Sequence, residues 1–377
     1  MELYIFNRNL ELQGIIDTFI SLIWTRRYHK TGGFSLYCPL NSDNLKLLQR
    51  ENIIYKQGNE EAGYIETRKL TISEKGEELI EITGKLLTNY LDRRISWDRV
   101  NYNGKTEELM RKLVLENAID PKDTSRKIDN LILGDLKGFT ETIKYQNSFG
   151  NVLEQLENIS NTSNLGYRNL LDIKNKKIIF DVYKGIDRTI SNGTIAPCIF
   201  SRDFENILKQ EFYDSLSDYK NTALIAGAGE GKDRKITSIE EGQGLDRHEV
   251  YVDARDIEDT KEVKTYDEEG NEIIEDVPMS DEEYIPLLIQ RGKEKLAERE
   301  EITTFDSKVN TRGNNIYRKD YDLGDLVTVV DDKWRLRVDT RITEIEEVYE
   351  EGKVEINPTF GNNVPTIIDV IKREVMR

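Results

Sequence analysis

The chain has 377 residues, enough for roughly two to three domains that each bury their own core. Its 71 Asp and Glu against 54 Lys and Arg leave a formal net charge of −17, which excludes a general phosphate-neutralising nucleic-acid binder and a polybasic membrane-surface protein. Hydrophobic residues make up 37%, with 18 Tyr, 11 Phe and 3 Trp, which is too much apolar bulk for a globally disordered chain.

Residues 1 to about 100 read as β-rich. Trp24, Arg26 and Tyr28 share one face of a strand, and Phe34, Leu36 and Cys38 share one face of the next, with Gly32-Gly33 as the hairpin turn between them. Asp43 to Gln49 predicts a short helix. Tyr64 to Ser73 and Glu77 to Ile82 predict a second strand pair through Lys75-Gly76. A helix follows from Thr106, read as its N-cap, to Asn117, with Leu109, Met110, Leu113 and Val114 as the apolar stripe. The spacing of Val152, Leu153, Leu156 and Ile159 predicts another from Ser148 to Ser160. Strands are expected at Tyr167 to Ile173 and Lys177 to Lys184 around the turn Lys174-Asn175-Lys176, and again near Ala223 to Ile225 and Asp246 to Ala254.

Residues 256–283 carry 13 acidic residues against Lys261 and Lys264. Val263 to Tyr266 and Glu272 to Val277 flank Glu268-Glu269-Gly270-Asn271 and read as an exposed hairpin in a solvated insertion, not as a calcium loop, because the D-x-[DN]-x-[DN]-G pattern is missing. Asp281 to Glu301 predicts a helix with Ser280 as N-cap. Strands are then expected at Leu326 to Val330, Trp334 to Val338, Ile342 to Val348 and Val354 to Ile356, the last pair joined through Glu350-Glu351-Gly352-Lys353.

The chemical motifs are weak. Gly227 to Asp233 imitates a phosphate loop, but Asp233 stands where Ser or Thr would bind metal, and a strand rather than a helix is expected after it. It reads as a glycine-rich crossover. No spacing singles out a carboxylate pair for a glycosidase, and no G-x-S-x-G elbow is present. His29, beside Arg26, Arg27 and Lys30, reads as a surface or interface side chain, and His248 as part of a salt-bridged strand edge. Cys38 and Cys198 make no disulfide framework, and Cys plus His are too few for a zinc site, so a reducing cytoplasm is the expected place of folding. The start, Met1 to Asn7, shows no signal peptide, and no run of about 18 apolar residues predicts a spanning helix. No catalytic, cofactor-binding or metal-binding residue is assigned.

Several segments together carry a resemblance. Trp24 to Tyr28 with Gly33 to Tyr37, Gly63-Tyr64-Ile65-Glu66, and Ile82 to Leu87 leading into Leu91 to Ile95 form one group. Tyr219-Lys220-Asn221, Gly227 to Arg234, Gly244 to Glu249 and Asp253 to Ile257 follow, then Tyr321-Asp322-Leu323-Gly324-Asp325 and Pro358 to Gly361. In order and spacing they resemble the siphophage ReqiPepy-type Gp37-like tail protein family, related to phage baseplate hub proteins, over about residues 20 to 362.

That resemblance implies an α+β, β-rich chain: two tube-type β-barrel domains with intervening helices and a mixed middle. The expected units are an N-terminal barrel at 1–105, a mixed region at 106–255, the acidic hairpin and helix at 256–300, and C-terminal barrel strands at 301–377. It also implies a non-enzymatic virion component assembled in the bacterial host cytoplasm. A homotrimeric ring would contact the tail tube or a distal tail protein and carry a spike, fibre or tape-measure protein, without specific nucleic-acid binding, a membrane segment or a cofactor. A baseplate cell-wall hydrolase and an acidic carbohydrate-binding module are the competing readings; the short stretch after residue 362 leaves no room for a separate hydrolase domain.

Overall fold

A computed structural model of the chain describes residues 1–361 apart from 73, 75, 267–271, 312 and 351. The turns expected through Lys75, through Glu268 to Asn271 and through Glu351, and the chain end to Arg377, lie outside the described residues.

The N-terminal strands are β1 (Leu3–Phe6), β2 (Leu12–Ile16), β3 (Ser21–Arg27), β4 (Gly33–Pro39), β5 (Ile53–Lys56), β6 (Ala62–Ile72) and β7 (Glu78–Leu86), with helix α1 (Ser42–Leu47) after β4. Burial alternates residue by residue along β3 and β4, as a sheet with one apolar face requires. The middle contains β8 (Val100–Lys105), α2 (Thr106–Val114), β9 (Leu131–Leu133), β10 (Thr142–Asn147), α3 (Val152–Ser163), β11 (Gly166–Asp172) and β12 (Lys177–Tyr183). Then come β13 (Ile199–Ser201), β14 (Ile207–Ser215), β15 (Thr222–Ala226), β16 (Ile236–Ile239), β17 (Glu249–Asp253), β18 (Thr260–Tyr266), β19 (Glu272–Pro278) and α4 (Asp281–Ala297). The last strands are β20 (Ile302–Val309), β21 (Leu326–Asp331), β22 (Leu336–Glu350) and β23 (Lys353–Gly361).

Thirteen strands form one sheet in the order β14-β20-β23-β22-β3-β4-β7-β6-β5-β1-β2, with β21 on β22 and β13 on β21. The expected β-rich architecture with intervening helices is present, at 45% strand and 19% helix. The sheet wraps two separate cores. Leu22, Trp24, Phe34, Leu36, Ile54 and Ile82 belong to the N-terminal one. Phe200, Phe305, Val327, Ile342, Ile345 and Phe360 belong to the C-terminal one. Neither half closes into a barrel among the described residues. The C-terminal half includes β13 and β14, which come from the stretch read as the mixed middle.

Where two strands were expected between Trp334 and Val348 there is one, β22. Its residues 336–341 pair with β21 and its residues 344–350 pair with β3, so a single strand passes from one half of the sheet to the other.

Two helix starts differ from the sequence reading. Thr106 is not the N-cap of α2; Lys105 is, because the Thr106 N–H already donates to Glu141 O as β8 leaves its pairing with β10. Helix α3 begins at Val152 and not Ser148, because the Asn151 side chain accepts from Glu154 N. For α4 the Ser280 cap is as expected, and Glu283 completes a capping box.

Candidate functional site: a charged joint between two sheet halves

The inward register of β3 places Trp24, Arg26 and Tyr28 in the interior, with Arg26 3% exposed. A guanidinium there must be paired, because an isolated buried charge is too costly to keep. Arg26 Nε donates to Glu61, and its Nη1 donates to Asp322 at 2.8 Å and to the Tyr317 hydroxyl at 2.9 Å. Strand β3, the residue just before β6 and the segment before β21 are thereby tied at one point.

A second buried pair lies alongside. Lys56 on β5 donates to Glu347 on β22 and to the Tyr349 hydroxyl at 3.0 Å. Tyr317 donates to Glu347 Oε1 at 3.1 Å, and Arg318 stands 3.4 Å from the same oxygen. Burial weighs against the Glu347 carboxylate, yet Lys56, Tyr349 and Arg318 together hold it below the usual carboxylate range. Burial also pulls the Lys56 ammonium down to about 8, against the upward pull of Glu347. Arg318 reaches back to Gly58 O at 2.9 Å and to Asn59, so the segment before β21 acts as a strap across the N-terminal half.

Tyr28 fixes the third side of the joint. Its hydroxyl donates to Asn164 O at 3.0 Å, and its ring stands edge-on to Tyr183 with centroids 5.2 Å apart. Gly324, at φ +92°, lies against that ring; a Cβ there would come within 2.3 Å of Tyr28 Cε2. Asp325 accepts from Ile186 N at 2.7 Å and from Arg188 Nε at 3.0 Å. The run Tyr321 to Asp325 is therefore structural at each position: Tyr321 packs edge-on against Phe200, Leu323 is buried, and the other three make the contacts just described.

His29, read as a surface or interface side chain, is packed half-buried against α3, its Nδ1 2.7 Å from Ser160 Oγ. Ser160 Oγ donates to Leu165 O, which leaves it to accept from the imidazole N–H. Burial, with Arg341 and Lys30 nearby, pushes the His29 pKa down to about 3. His248 lies 5.2 Å from the Tyr219 ring, and its neighbour Arg247 pairs with Glu249 and Glu240.

The segment Gly227 to Arg234 crosses from β15 to β16 through a single 3-10 turn. Tyr284 of α4 donates to Ile257 O and accepts from Ala228 N, both at 2.8 Å, and a Cβ on Gly227 would meet the Tyr284 hydroxyl at 2.4 Å. This glycine makes room for a helix side chain, so the segment is a packing crossover. Among the described residues no group of three or more His, Cys, Asp or Glu is placed to hold a metal ion, and no helix is long and apolar enough to cross a membrane.

Sequence reasoning placed Arg26 on one strand face with Trp24 and Tyr28 but did not assign that face to the interior and missed its partners, and it missed Lys56 and Glu347. The alternation Trp24-Arg26-Tyr28 was the available signal, since a charge in the inward register requires a counter-charge. Nothing in the sequence says which of 71 carboxylates supplies it.

The profile of the family described as Siphovirus ReqiPepy6 Gp37-like protein matches residues 2–362. No curated protein matches the chain. Among solved structures, the tail protein from Neisseria meningitidis MC58 is similar with a TM-score of 0.57 at 13% identity, over 96% of each chain. The 43 kDa tail protein of prophage MuSo2 from Shewanella oneidensis gives 0.56 at 11% identity, covering 96% of this chain and 98% of that one. Prophage tail protein gp18 from Listeria monocytogenes EGD-e gives 0.53 at 13% identity, covering 100% of this chain and 99% of that one. At such identities the likeness is one of fold.

Proposed function

The chain belongs to the siphovirus ReqiPepy6 Gp37-like family of phage tail proteins, and we propose that it is a structural hub of the tail end, without catalytic activity. In this reading each chain contributes two tube-type wall units. The N-terminal unit lies within 1–105, and the C-terminal unit is built on 301–361 with β13 and β14 added. Three chains form a ring with six such units around a channel, contacting the tail tube or distal tail protein on one side and a spike, fibre or tape-measure protein on the other. The location is the virion tail tip or baseplate.

The observation that carries this reading is the single thirteen-stranded sheet with two independent cores joined by β22. An adaptor that transmits force between a tube and a spike needs its two wall units in fixed relation. A shared strand with buried ion pairs on either side provides that rigidity more directly than a flexible linker could. The excess of acid suits a conduit from which DNA phosphates must not be captured.

Native mass spectrometry of the purified chain, with electron microscopy of the same sample, tests the proposal. A three-chain ring with an open centre supports it. A stable monomer at all concentrations, or measurable turnover of peptidoglycan in a zymogram, overturns it.

A further inference from the structure

Four stretches of the N-terminal half converge on one cleft of about 560 Å³. Arg8 lies between β1 and β2, Arg50 and Glu51 between α1 and β5, Glu66 and Arg68 on β6, and Arg93 ends the 3-10 turn after β7. Four guanidinium groups against two carboxylates leave the lining at +2, in a chain whose net charge is −17. The backbone is irregular at both carboxylates. Glu51 stands at φ +70°, a left-handed conformation that a residue with a side chain adopts only when held there, here by its N–H on Ile65 O at 2.7 Å. Glu66 is the extra residue of a bulge: Ile65 pairs with Gly84 and Thr67 with Thr83, and Glu66 falls between them. Bulges re-aim side chains, and this one serves the same cleft as the strained Glu51.

The arginines are only partly matched within the chain. Arg93 is fixed, with its guanidinium over the Tyr64 and Tyr90 rings at 4.7 and 4.8 Å and on both oxygens of Glu51 at 3.1 Å. Arg8, whose side chain is 67% exposed, stands 3.3 Å from that same carboxylate, so Glu51 serves two cations. Arg68 uses one nitrogen, Nη1, on Leu45 O at 3.3 Å and Leu48 O at 3.5 Å. Arg50 is exposed, and its side chain makes no hydrogen bond or ion pair among the described residues; the same is true of Glu66.

We infer that this cleft receives a segment of another protein that carries two carboxylates a few residues apart. A guanidinium fork matches a carboxylate in two parallel hydrogen bonds, and Arg50 and Arg68 bring such forks with donors to spare. Two carboxylates balance the +2 of the lining, and a cluster of arginines is the usual receiver of an acidic motif. A nucleic-acid strand fits less well. Its closely spaced phosphates would meet Glu51 and Glu66 inside the cleft and the negative charge of the chain around it, whereas a protein segment can set a donor against Glu66 and its acids against the arginines. All six side chains belong to one chain, so the cleft does not depend on the ring proposed above.

The test applies the full-length chain, fluorescently labelled, to an array of terminally blocked hexapeptides with two Asp or Glu at every pair of positions in a Gly-Ser background. The same array with Asn and Gln in place of the acids, and immobilised twelve-nucleotide oligothymidine, are the controls. A subset of acidic hexapeptides should retain the chain at least tenfold more than their amide counterparts. Arg50→Glu should reduce that retention at least tenfold, and Glu66→Gln should keep or raise it; both positions are exposed, and melting temperatures close to that of the parent chain confirm that the variants are folded. Equal retention by acidic and amide peptides, no retention by either, or retention unchanged in Arg50→Glu overturns the inference. Retention by oligothymidine alone, lost in Arg50→Glu, overturns it in favour of a nucleic-acid site.

Discussion

Lys56 and Glu347 lie 291 residues apart in the chain, yet they meet in one ion pair in which neither side chain is more than 3% exposed. Glu347 also serves Tyr317, Tyr349 and Arg318, so its removal leaves several buried donors unmatched. Glu347→Ala should therefore cost about 3–5 kcal/mol, the usual range for breaking a buried pair from one side. The double variant Lys56→Met/Glu347→Leu should cost less than Glu347→Ala alone. Urea unfolding of both variants checks this, and equal losses would show that the pairing itself matters little.

Gly324 combines a left-handed φ of +92° with a Tyr28 ring where its Cβ would stand. Gly324→Ala should lose more than the roughly 1 kcal/mol typical of an alanine in that region of backbone space, because the ring must also move. Tyr28→Phe, which removes the hydroxyl that donates to Asn164 O and accepts from Gly185 N at 3.4 Å, should lose about 1 kcal/mol. The order of the two melting temperatures is the readout.

His29 gives the protein an acid sensitivity. Its folded pKa near 3 lies below the ordinary 6.5, so between those values the unfolded chain binds a proton that the folded chain refuses. Stability from this residue is complete above pH 6.5 and falls as pH drops toward 3, at up to about 1.4 kcal/mol per pH unit. His29→Gln should flatten that part of the stability profile between pH 6.5 and 4.

Cys38 and Cys198 are both buried, and burial pushes each thiol up to about 12. Neither should react with a disulfide reagent at pH 8 in the folded chain, and both should react once it is unfolded. A thiol titrating in the native protein would place one of them at the surface.

Local pattern carried much of the fold. The alternation Phe34-Leu36-Cys38 set the face of β4, and Ser280 with Glu283 set the start of α4, because both signals are contained in a few adjacent residues. Long-range facts were hidden. Strand β22 read as two because its exposed turn side, around Arg337 and Asp339, and its buried side, around Ile345, differ in character along the length. Strands β13, β14 and β20 depend on partners distant in sequence, as with β14 and β20, whose ladder joins Phe212 to Phe305. The joint was half legible: Tyr321 to Asp325 stood out as a motif, whereas the pairing of Arg26 with Glu61 and of Lys56 with Glu347 exists only after the sheet has formed.

Electron cryomicroscopy of the tail end at side-chain resolution is the most direct examination of the proposed adaptor role. The account predicts threefold density in which the strands around Trp24 and those around Phe360 take six alternating places about a single channel. Density showing one isolated copy, or copies whose two sheet halves do not both line the channel, would contradict it.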